Sequence, residues 1–343
     1  MNQPALILYN KLSKHPSDDE LDVLEQVAIV RKALKELGFE VKTGQVDLNL
    51  QKTLHQIKKI NPCFIFNLVE TINNLGEFVY FPAAIYHSLN IPFSGSPLIP
   101  LFFAANKVRA KIEMKRLGVP TPSWFEMDAL HLLNPNKKYI LKPIWEEGSL
   151  GLDEDCVFNG NDLEFIENIR KKSKDYYFVE EFVEGREFNI SILAGPRGPE
   201  VLPFAEMHFI DYPEGKPKIM GYTAKWKEDS FEYLNTRRTF EIKELDQAVY
   251  KKMLHICNKC WNKLGLKGYV RLDFRIDLQG NPYVIDINAN PCLSGSGGFM
   301  AASKRAGLKP RDIIQRIVEH ALGNSLPLNK KHSEKMSPEP VKS

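Results

Sequence analysis

The stretch RLDFRIDLQGNPYVIDINANP, residues 271–291, has the pattern of a β-hairpin. Apolar and polar residues alternate over positions 270–277, as expected for a strand that packs one face on a core. Residues 279–282 are typical of a turn, because glycine tolerates a positive φ and proline fixes its own φ. The alternation resumes over 283–289, so we predict a second strand that pairs with the first.

The polar face of this hairpin carries carboxylates and amides, and Asp286 and Asn288 point the same way about 6.5–7 Å apart. Asp273 can share their face, and crowded carboxylates repel unless a cation lies between them. Oxygen ligands without His or Cys favour Mg²⁺, or Mn²⁺, over zinc. The alternative is a solvated face with ion pairs to Arg271 and Arg275. The hairpin alone leaves both interpretations open, and the metal hypothesis requires a phosphate-binding partner elsewhere in the chain.

The composition excludes several classes of protein. A chain of 343 residues suggests two or three domains, and 43% hydrophobic with 26% charged residues is typical of a globular protein. The net charge of +3 is too balanced to favour nucleic acid or a membrane surface as partner. No run reaches the ~18–20 apolar residues of a membrane span, and the first residues lack a signal-peptide pattern. With only five cysteines, these features predict a cytoplasmic protein.

Strand and helix patterns alternate along the first hundred residues. Strands at 5–9, 40–46 and 63–69 with helices near 18–37 and 52–59 predict a parallel sheet covered on both faces. Further helices are predicted near 78–89, 104–117, 244–264 and 310–322. Cys257 and Cys260 should lie on the apolar face of the third of these helices rather than bind zinc. The polar, proline-containing end of the chain is predicted to be a disordered tail.

Two segments in the middle of the chain could bind a nucleotide. In YILKPIWEEGSLG (139–151), Lys142 precedes small residues, including Gly148 and Ser149, whose backbone N–H groups could approach phosphate oxygens. In YYFVEEFVEGREFNISIL (176–193), the backbone of residues 180–183 could meet an adenine edge, and Glu187 could accept from ribose hydroxyls. Taken singly, the first segment is more typical of an ordinary turn, and the second of an ordinary strand and loop with solvated acidic residues.

In combination, these motifs resemble the ATP-grasp superfamily, and more closely its D-alanine–D-alanine ligase branch. The resemblance covers nearly the whole chain before the tail, with FNLVE, a later GE, PFSGS to PTPSW, LKPIWEEGSLG, VEEFVEGRE, AKW and the hairpin in the family's order. It implies an α/β ATP-grasp fold with an N-terminal Rossmann-like parallel-sheet domain at 1–103. A central small lobe would follow at 104–190, a C-terminal lobe with the metal-binding hairpin at 191–326, and the tail at 327–343.

The resemblance also implies roles for residues of this sequence. Positions that match the family's nucleotide-binding residues are Lys107, Lys142, Gly148, Ser149, Glu180, Glu181, Val183 and Glu187. Asp273, Asp286 and Asn288 match the ligands of two Mg²⁺ ions, although the family more often has Glu at the second position. Lys225 matches a lysine that approaches the phosphates, and Arg271 matches the arginine that stabilises the acyl-phosphate and the tetrahedral intermediate. ATP and Mg²⁺, replaceable by Mn²⁺, are the implied cofactors.

The activity implied is ATP-dependent ligation of a small-molecule carboxylate and an amine through an acyl-phosphate, giving ADP, phosphate and an amide. The sequence departs from the family on the substrate side, with Gly148 in place of a Ser, Trp226 in place of a Tyr and Cys292 in place of a Gly. No residue matches the Glu that orients the first D-alanine. We therefore expect a substrate other than D-alanine, contacted by residues 17–20 or 294–298, although the acidic residues at 18–20 are more typical of a capped helix start.

Two other functions stay open on the sequence. One is a true D-alanine–D-alanine ligase with a rearranged substrate site, and the other is an ATP-binding regulatory protein without ligase turnover. The resemblance further implies a possible homodimer that forms through the first domain.

Overall fold

The first hundred residues form a parallel α/β unit, as the alternating pattern predicted. The structure, a computed structural model, describes residues 4–146, 148–242 and 246–323, and the predicted tail at 327–343 lies outside them. The strands of this unit are β1 (Pro4–Asn10), β2 (Glu40–Val46) and β3 (Phe64–Leu68), and its helices are α1 (Asp18–Glu36), α2 (Leu50–Ile60) and α3 (Phe81–Ser88). The sheet has the order β2-β1-β3, with both pairs parallel.

Two more sheets follow along the chain, after helices α4 (Leu98–Ala105) and α5 (Lys107–Arg116). The second sheet is antiparallel in the order β4-β7-β5-β6, formed by β4 (Trp124–Glu126), β5 (Lys138–Pro143), β6 (Val157–Asn159) and β7 (Tyr177–Glu181), with helix α6 (Leu163–Ile169) between β6 and β7. The third sheet has the order β11-β10-β8-β12-β13, with β9 paired to β8.

The third sheet consists of β8 (Arg186–Gly195), β9 (Gly198–Val201), β10 (Ala205–Phe209), β11 (Thr236–Thr239), β12 (Tyr269–Ile276) and β13 (Pro282–Asn288). Its helices are α7 (Tyr222–Trp226), α8 (Phe231–Asn235), α9 (Gln247–Lys263), α10 (Gly298–Arg305) and α11 (Pro310–Ala321). The domain boundaries derived from the sequence remain a prediction, and the boundary at residue 190 lies within β8.

Helix α11 connects the end of the described chain to its beginning. Ile314 and Ile317 of α11 lie in one core cluster with Val30 and Leu34 of α1. In a second cluster, the buried Cys257 and Cys260 of α9 pack as apolar residues, as predicted. Among the described residues, no helix is long and apolar enough to cross a bilayer.

The helix predicted at 104–117 is present as α5, but it begins at Lys107 rather than at Ala104, because Asn106 separates it from α4. Asn106 has an extended conformation (φ −104°, ψ 104°), and its side chain accepts a hydrogen bond from the backbone N–H of Arg109 at 2.8 Å. Asparagine favours this position because its side-chain oxygen satisfies an N–H that has no partner within the helix. Lys107 consequently begins α5, and its backbone N–H donates to the carbonyl of Ile144 after β5.

The hairpin of β12 and β13 also departs from simple alternation. Asp273 pairs with Asp286, but the next residue, Phe274, pairs with Val284, so Ile285 is an extra residue in β13. Such a bulge lets two consecutive residues depart from the up-and-down pattern of a strand. The bulge therefore sets the register that places Asp286 directly opposite Asp273.

Candidate active site

A cleft of about 1350 Å³ lies where the three sheets meet. It is lined by residues of the first sheet unit, of α5, of the second sheet and of the third sheet. Twelve of the thirteen site residues predicted from the sequence line it: Lys107, Lys142, Gly148, Ser149, Glu180, Val183, Glu187, Lys225, Arg271, Asp273, Asp286 and Asn288. The remaining one, Glu181, is directed elsewhere on β7, and its carboxylate pairs with Lys137 at 2.7 Å.

The hairpin presents its polar residues on one face of the cleft. Asp273 is the register partner of Asp286, and Arg271 is the partner of Asn288. Since side chains two residues apart point the same way, all four lie on the same side of the sheet. The guanidinium of Arg271 binds Asp273 in a bidentate manner, with Nε 2.8 Å from Oδ1 and Nη2 2.9 Å from Oδ2. The side-chain amide of Asn189 also donates to Asp273 Oδ1 at 2.9 Å.

Asp286 is half-buried and lies in a positive environment. Burial acts to raise the pKa of its carboxyl group. The charges of Lys107, Lys142 and Arg271 outweigh burial and hold that pKa below its ordinary value. An ionised carboxylate opposite a second carboxylate is the arrangement that a divalent cation stabilises.

The residues of this face fit Mg²⁺ better than zinc. Within the described residues, no three His, Cys, Asp or Glu side chains come together as a metal cluster. The available oxygen donors are the carboxylates of Asp273 and Asp286 and the amide oxygen of Asn288, a set typical of hard cations. Two carboxylates are too few for an all-protein cage, so water and phosphate oxygens would complete the shell.

A buried cluster of charges lies beside this face. Lys142 Nζ of β5 donates to Glu180 Oε1 of β7 at 2.9 Å, and Lys111 Nζ of α5 contacts Glu180 Oε2. Lys111 and Glu180 are only 1% and 2% exposed. Burial acts to raise the pKa of Glu180, but the two lysines outweigh it, so its pKa lies below the ordinary value. Two lysines therefore neutralise Glu180, and of these Lys142 lines the cleft.

Lys107 reaches the loop after β5 as a result of the break at Asn106. Its Nζ donates to the backbone carbonyl of Glu146. The carboxylate of Glu146 in turn accepts a hydrogen bond from Tyr176 OH at 2.5 Å. Lys107 of α5 and Lys142 of β5 thus both reach the cleft. The hydrogen bonds of Lys107 hold α5 against the loop that follows β5.

The small-residue loop that follows β5 is held against the third sheet unit. Ser149 has a left-handed conformation (φ +65°), which is uncommon for a residue other than glycine. Its hydroxyl donates to the carbonyl of Met220 at 2.7 Å, and Trp226 Nε1 donates to the carbonyl of Gly148 at 3.1 Å. These bonds attach the loop, whose residues 148–150 line the cleft, to the third sheet unit.

Two further residues of the cleft, Glu187 and Arg275, carry opposite charges. Burial raises the pKa of Glu187; the positive charge of Arg275 opposes that shift, and Asp273 adds to it. Arg275 Nη1 lies 3.8 Å from Glu187 Oε2, and the guanidinium also lies over the ring of Phe182 at 5.0 Å. Val183 follows Phe182 at the edge of the cleft.

The wall contributed by the first unit is acidic. Ser17 and Glu20 form a capping box at the start of α1, so the helix-cap interpretation of 17–20 holds for these two residues. The Cys292 thiol donates to Asp22 Oδ2 at 2.8 Å. Burial, followed by the charges of Glu70 and Asp22, raises the pKa of Cys292 and so disfavours its thiolate, the form that acts as a nucleophile.

Sequence reasoning missed several residues that the fold brings to the cleft or beside it. They are Asp22, Glu70, Lys111, Glu146 and Arg238. The periodicity of the helix was the only available signal for Lys111, which lies one turn after Lys107. The others lie on a helix start, in loops and on an edge strand, where their side chains have no pattern that would distinguish them from solvated residues.

The chain is similar to known proteins over most of its length. The family described as D-ala D-ala ligase C-terminus matches residues 136–319. A D-alanine–D-alanine ligase of Aquifex aeolicus is 30% identical over 301 residues, which cover 84% of this chain and 92% of the relative. The enzyme of the same name from Carboxydothermus hydrogenoformans is 29% identical over 315 residues, covering 88% of this chain and 94% of the relative.

A solved structure shows the same fold. The D-alanine–D-alanine ligase from Bacillus anthracis, complexed with ATP, superposes with a TM-score of 0.69 at 18% sequence identity, covering 94% of this chain and 98% of that one. The family match spans more than half of the chain, and the relatives extend the likeness over most of the remainder. The α/β fold and the family inferred from the motifs are therefore confirmed: the chain belongs to the D-alanine–D-alanine ligase family and is an ATP-grasp ligase.

Proposed function

We propose that this enzyme joins a carboxylate to an amine through an acyl-phosphate, with substrates other than D-alanine. The observation that carries the proposal is the arrangement of Asp273, Asp286, Asn288 and Arg271 on one face of the hairpin, opposite Lys107 and Lys142. Carboxylates, an arginine and two lysines in one cleft match the charges that phosphoryl transfer and acyl transfer develop.

The first half-reaction transfers a phosphoryl group. An oxygen of the substrate carboxylate attacks the γ-phosphorus of ATP, and the bond from that phosphorus to the bridging oxygen of ADP breaks. Lys107 and Lys142 bind the phosphates, and Lys225 approaches them from α7. Asp273, Asp286 and Asn288 would hold Mg²⁺, which offsets the charge that moves between phosphate oxygens.

The second half-reaction forms the amide. The nitrogen of the amine attacks the acyl carbon, phosphate leaves, and the nitrogen loses a proton. Arg271 faces the oxyanion that develops on the acyl oxygen. Arg271 binds Asp273 in this structure, so we expect cation binding at Asp273 to release the guanidinium toward the substrate. The loop at 148–151 keeps water from the acyl-phosphate, which would otherwise hydrolyse.

Three departures from the family support a substrate other than D-alanine. Gly148 and Trp226 bond to each other where the resemblance predicts a Ser and a Tyr, so the contact between lid and cleft wall differs. Cys292 replaces a glycine and bonds to Asp22 of the first unit. The second candidate is D-alanine itself, which the names of the relatives favour. The homodimer that the resemblance implies stays a prediction.

The test is release of ADP and phosphate from Mg-ATP across pools of amino acids and small carboxylates, with mass spectrometry of each active pool. Asp286→Asn should lower turnover by about 10²–10³-fold, because it removes one charge from the electrostatic framework of the reaction. The matched control is Asp277→Asn, in the turn of the same hairpin, where the carboxylate accepts from the backbone N–H groups of Gln279 and Asn281 and from the side-chain amide of Asn281.

The outcomes separate the two candidates. Release that requires both a carboxylate and an amine, and that Asp286→Asn abolishes while Asp277→Asn does not, supports ligation. Formation of a D-alanine dipeptide from D-alanine alone would establish the second candidate. Equal turnover in Asp286→Asn and in the wild type would refute the assignment of the hairpin.

A further inference from the structure

Asn189 is a residue of the cleft that the proposed reaction does not use. It lies in β8, where its neighbours Phe188 and Ile190 are fully buried in the core of the third sheet unit. The alternation of a strand directs Asn189 to the opposite side of the sheet, where it is half-buried and lines the cleft. Asparagine is uncommon in strands, and a half-buried amide in a central strand needs a hydrogen-bond partner.

The partner of Asn189 is Asp273, which lies directly opposite on the adjacent strand. Asn189 pairs with Asp273 between β8 and β12, and Asp273 pairs with Asp286 between β12 and β13. Because residues that lie opposite each other in antiparallel strands point to the same side, these three side chains form one row across three strands. On the other side of Asn189, its register partner is Ala205 of β10, whose side chain has no polar atom. The amide of Asn189 donates instead to Asp273, with Nδ2 2.9 Å from Oδ1.

The hydrogen bond from Asn189 differs in kind from those that Arg271 donates to the same carboxylate. Arg271 binds both oxygens of Asp273, and we expect a cation at Asp273 to release this guanidinium. The amide of Asn189 is neutral, so it does not repel a cation, and it comes from a different strand, so its position does not depend on Arg271. Asn189 can therefore continue to hold Asp273 after Arg271 has turned to the substrate.

We propose that Asn189 is a positioning residue that orients the carboxylate of Asp273 for a divalent cation. The inference rests on the proposed function, in which Asp273 is one of the ligands of Mg²⁺. A carboxylate that is already held by a hydrogen bond loses less freedom when it binds a cation, so the bond strengthens cation binding. Asn189 acts through Asp273 and not as a ligand of its own.

The test measures binding of Mn²⁺, as a probe for Mg²⁺, by electron paramagnetic resonance. The sample contains a non-hydrolysable ATP analogue, with the protein in excess so that the nucleotide is bound. Asn189→Leu removes the amide at a similar side-chain size, and Asn189→Thr retains a hydroxyl that can donate. Asn189→Leu is also made together with Asp273→Ala, where Asp286, Asn288 and the phosphates remain as ligands, so that binding stays measurable. The control is Asn159→Leu, which replaces an exposed asparagine of β6 outside the cleft.

Asn189→Leu should weaken Mn²⁺ binding by about ten- to a hundredfold, the usual effect of losing a hydrogen bond to a metal ligand. Asn189→Thr should recover part of this loss. In the Asp273→Ala background, Asn189→Leu should change the affinity by less than about twofold, because the carboxylate that it orients is absent. Asn159→Leu should bind Mn²⁺ as wild type does. Urea denaturation should show a cooperative transition for each variant, and Asn189→Thr serves for the same comparisons if leucine prevents folding.

Unchanged Mn²⁺ affinity in Asn189→Leu would overturn the proposal and leave the assignment of the hairpin intact. An equal loss with and without Asp273 would also overturn it, since Asn189 would then act independently of that carboxylate. Absence of Mn²⁺ binding by the wild type would overturn both this proposal and the metal site. Because binding is measured without turnover, the proposed reaction fails separately: a loss that depends on Asp273, without ligation in any pool, would support the role of Asn189 and contradict that reaction.

Discussion

Replacing Lys111 by methionine tests how the buried charges beside the proposed nucleotide site are balanced. Lys111 Nζ contacts Glu180 Oε2 and donates to Thr121 Oγ1 at 2.9 Å. Methionine has a similar length and no charge, so the change removes one of the two lysines that neutralise Glu180 without leaving a large cavity. Removing one partner of a buried ion pair typically costs about 3–5 kcal/mol, because the remaining charge is left uncompensated.

The expected loss of unfolding free energy for Lys111→Met is at the lower end of this range, about 3 kcal/mol. Glu180 retains Lys142 at 2.9 Å, and this contact limits the penalty. The same variant should bind ATP more weakly than wild type, because Lys142 becomes the only lysine that neutralises Glu180 and is less available to a phosphate.

The assay is urea denaturation followed by tryptophan fluorescence, together with titration of ATP. The control is Arg116→Ala on the same helix, which breaks the exposed pair between Arg116 Nη2 and Glu113 Oε2 at 2.8 Å. An exposed pair of this kind contributes about 0.3–0.5 kcal/mol. If Lys111→Met lost no more stability than Arg116→Ala, the argument that Glu180 depends on Lys111 would be refuted.

Two further predictions concern the pH dependence of the unfolding free energy and the close backbone contact at Gly268. Since the pKa of Glu180 is lower in the folded state than its ordinary 4.5, its ionised form stabilises the fold above that pH, and the contribution is lost as pH falls below it. The difference in unfolding free energy between wild type and Glu180→Gln should therefore shrink in acid, and a constant difference from pH 7 to pH 3 would contradict this. Gly268→Ala should destabilise more than Gly280→Ala, by at least about 1 kcal/mol. Both glycines have positive φ, but a Cβ added at 268 would lie 2.9 Å from Gly95 Cα, whereas a Cβ added at 280 would lie 3.7 Å from the nearest atom, which belongs to a side chain. Equal denaturation midpoints for the two variants would contradict this prediction.

The local sequence pattern was sufficient to predict most of the secondary structure and the polar face that the hairpin presents to the cleft. The hairpin, the parallel unit and the helices near 18–37, 244–264 and 310–322 follow from periodicity and turn residues, which depend only on neighbours in the chain. The alternation also placed Asp286 and Asn288 on one face of a strand, whereas most other site residues were assigned by the resemblance to the family.

Other features depend on the tertiary structure, namely single-residue irregularities and the pairing of charged side chains from distant segments. The bulge at Ile285 and the break at Asn106 are single-residue events within patterns that continue on both sides, so periodicity could not locate them. Lys111 resembles any lysine of an amphipathic helix until β7 brings Glu180 against it. Arg238 likewise resembles a solvated residue of an edge strand until the loop at 294–298 folds beside Arg271. Sequence alone determined which elements form and which residues the family shares. Only the folded chain decided which charges are buried together, because burial and electrostatic pairing depend on distances between segments that are far apart in sequence.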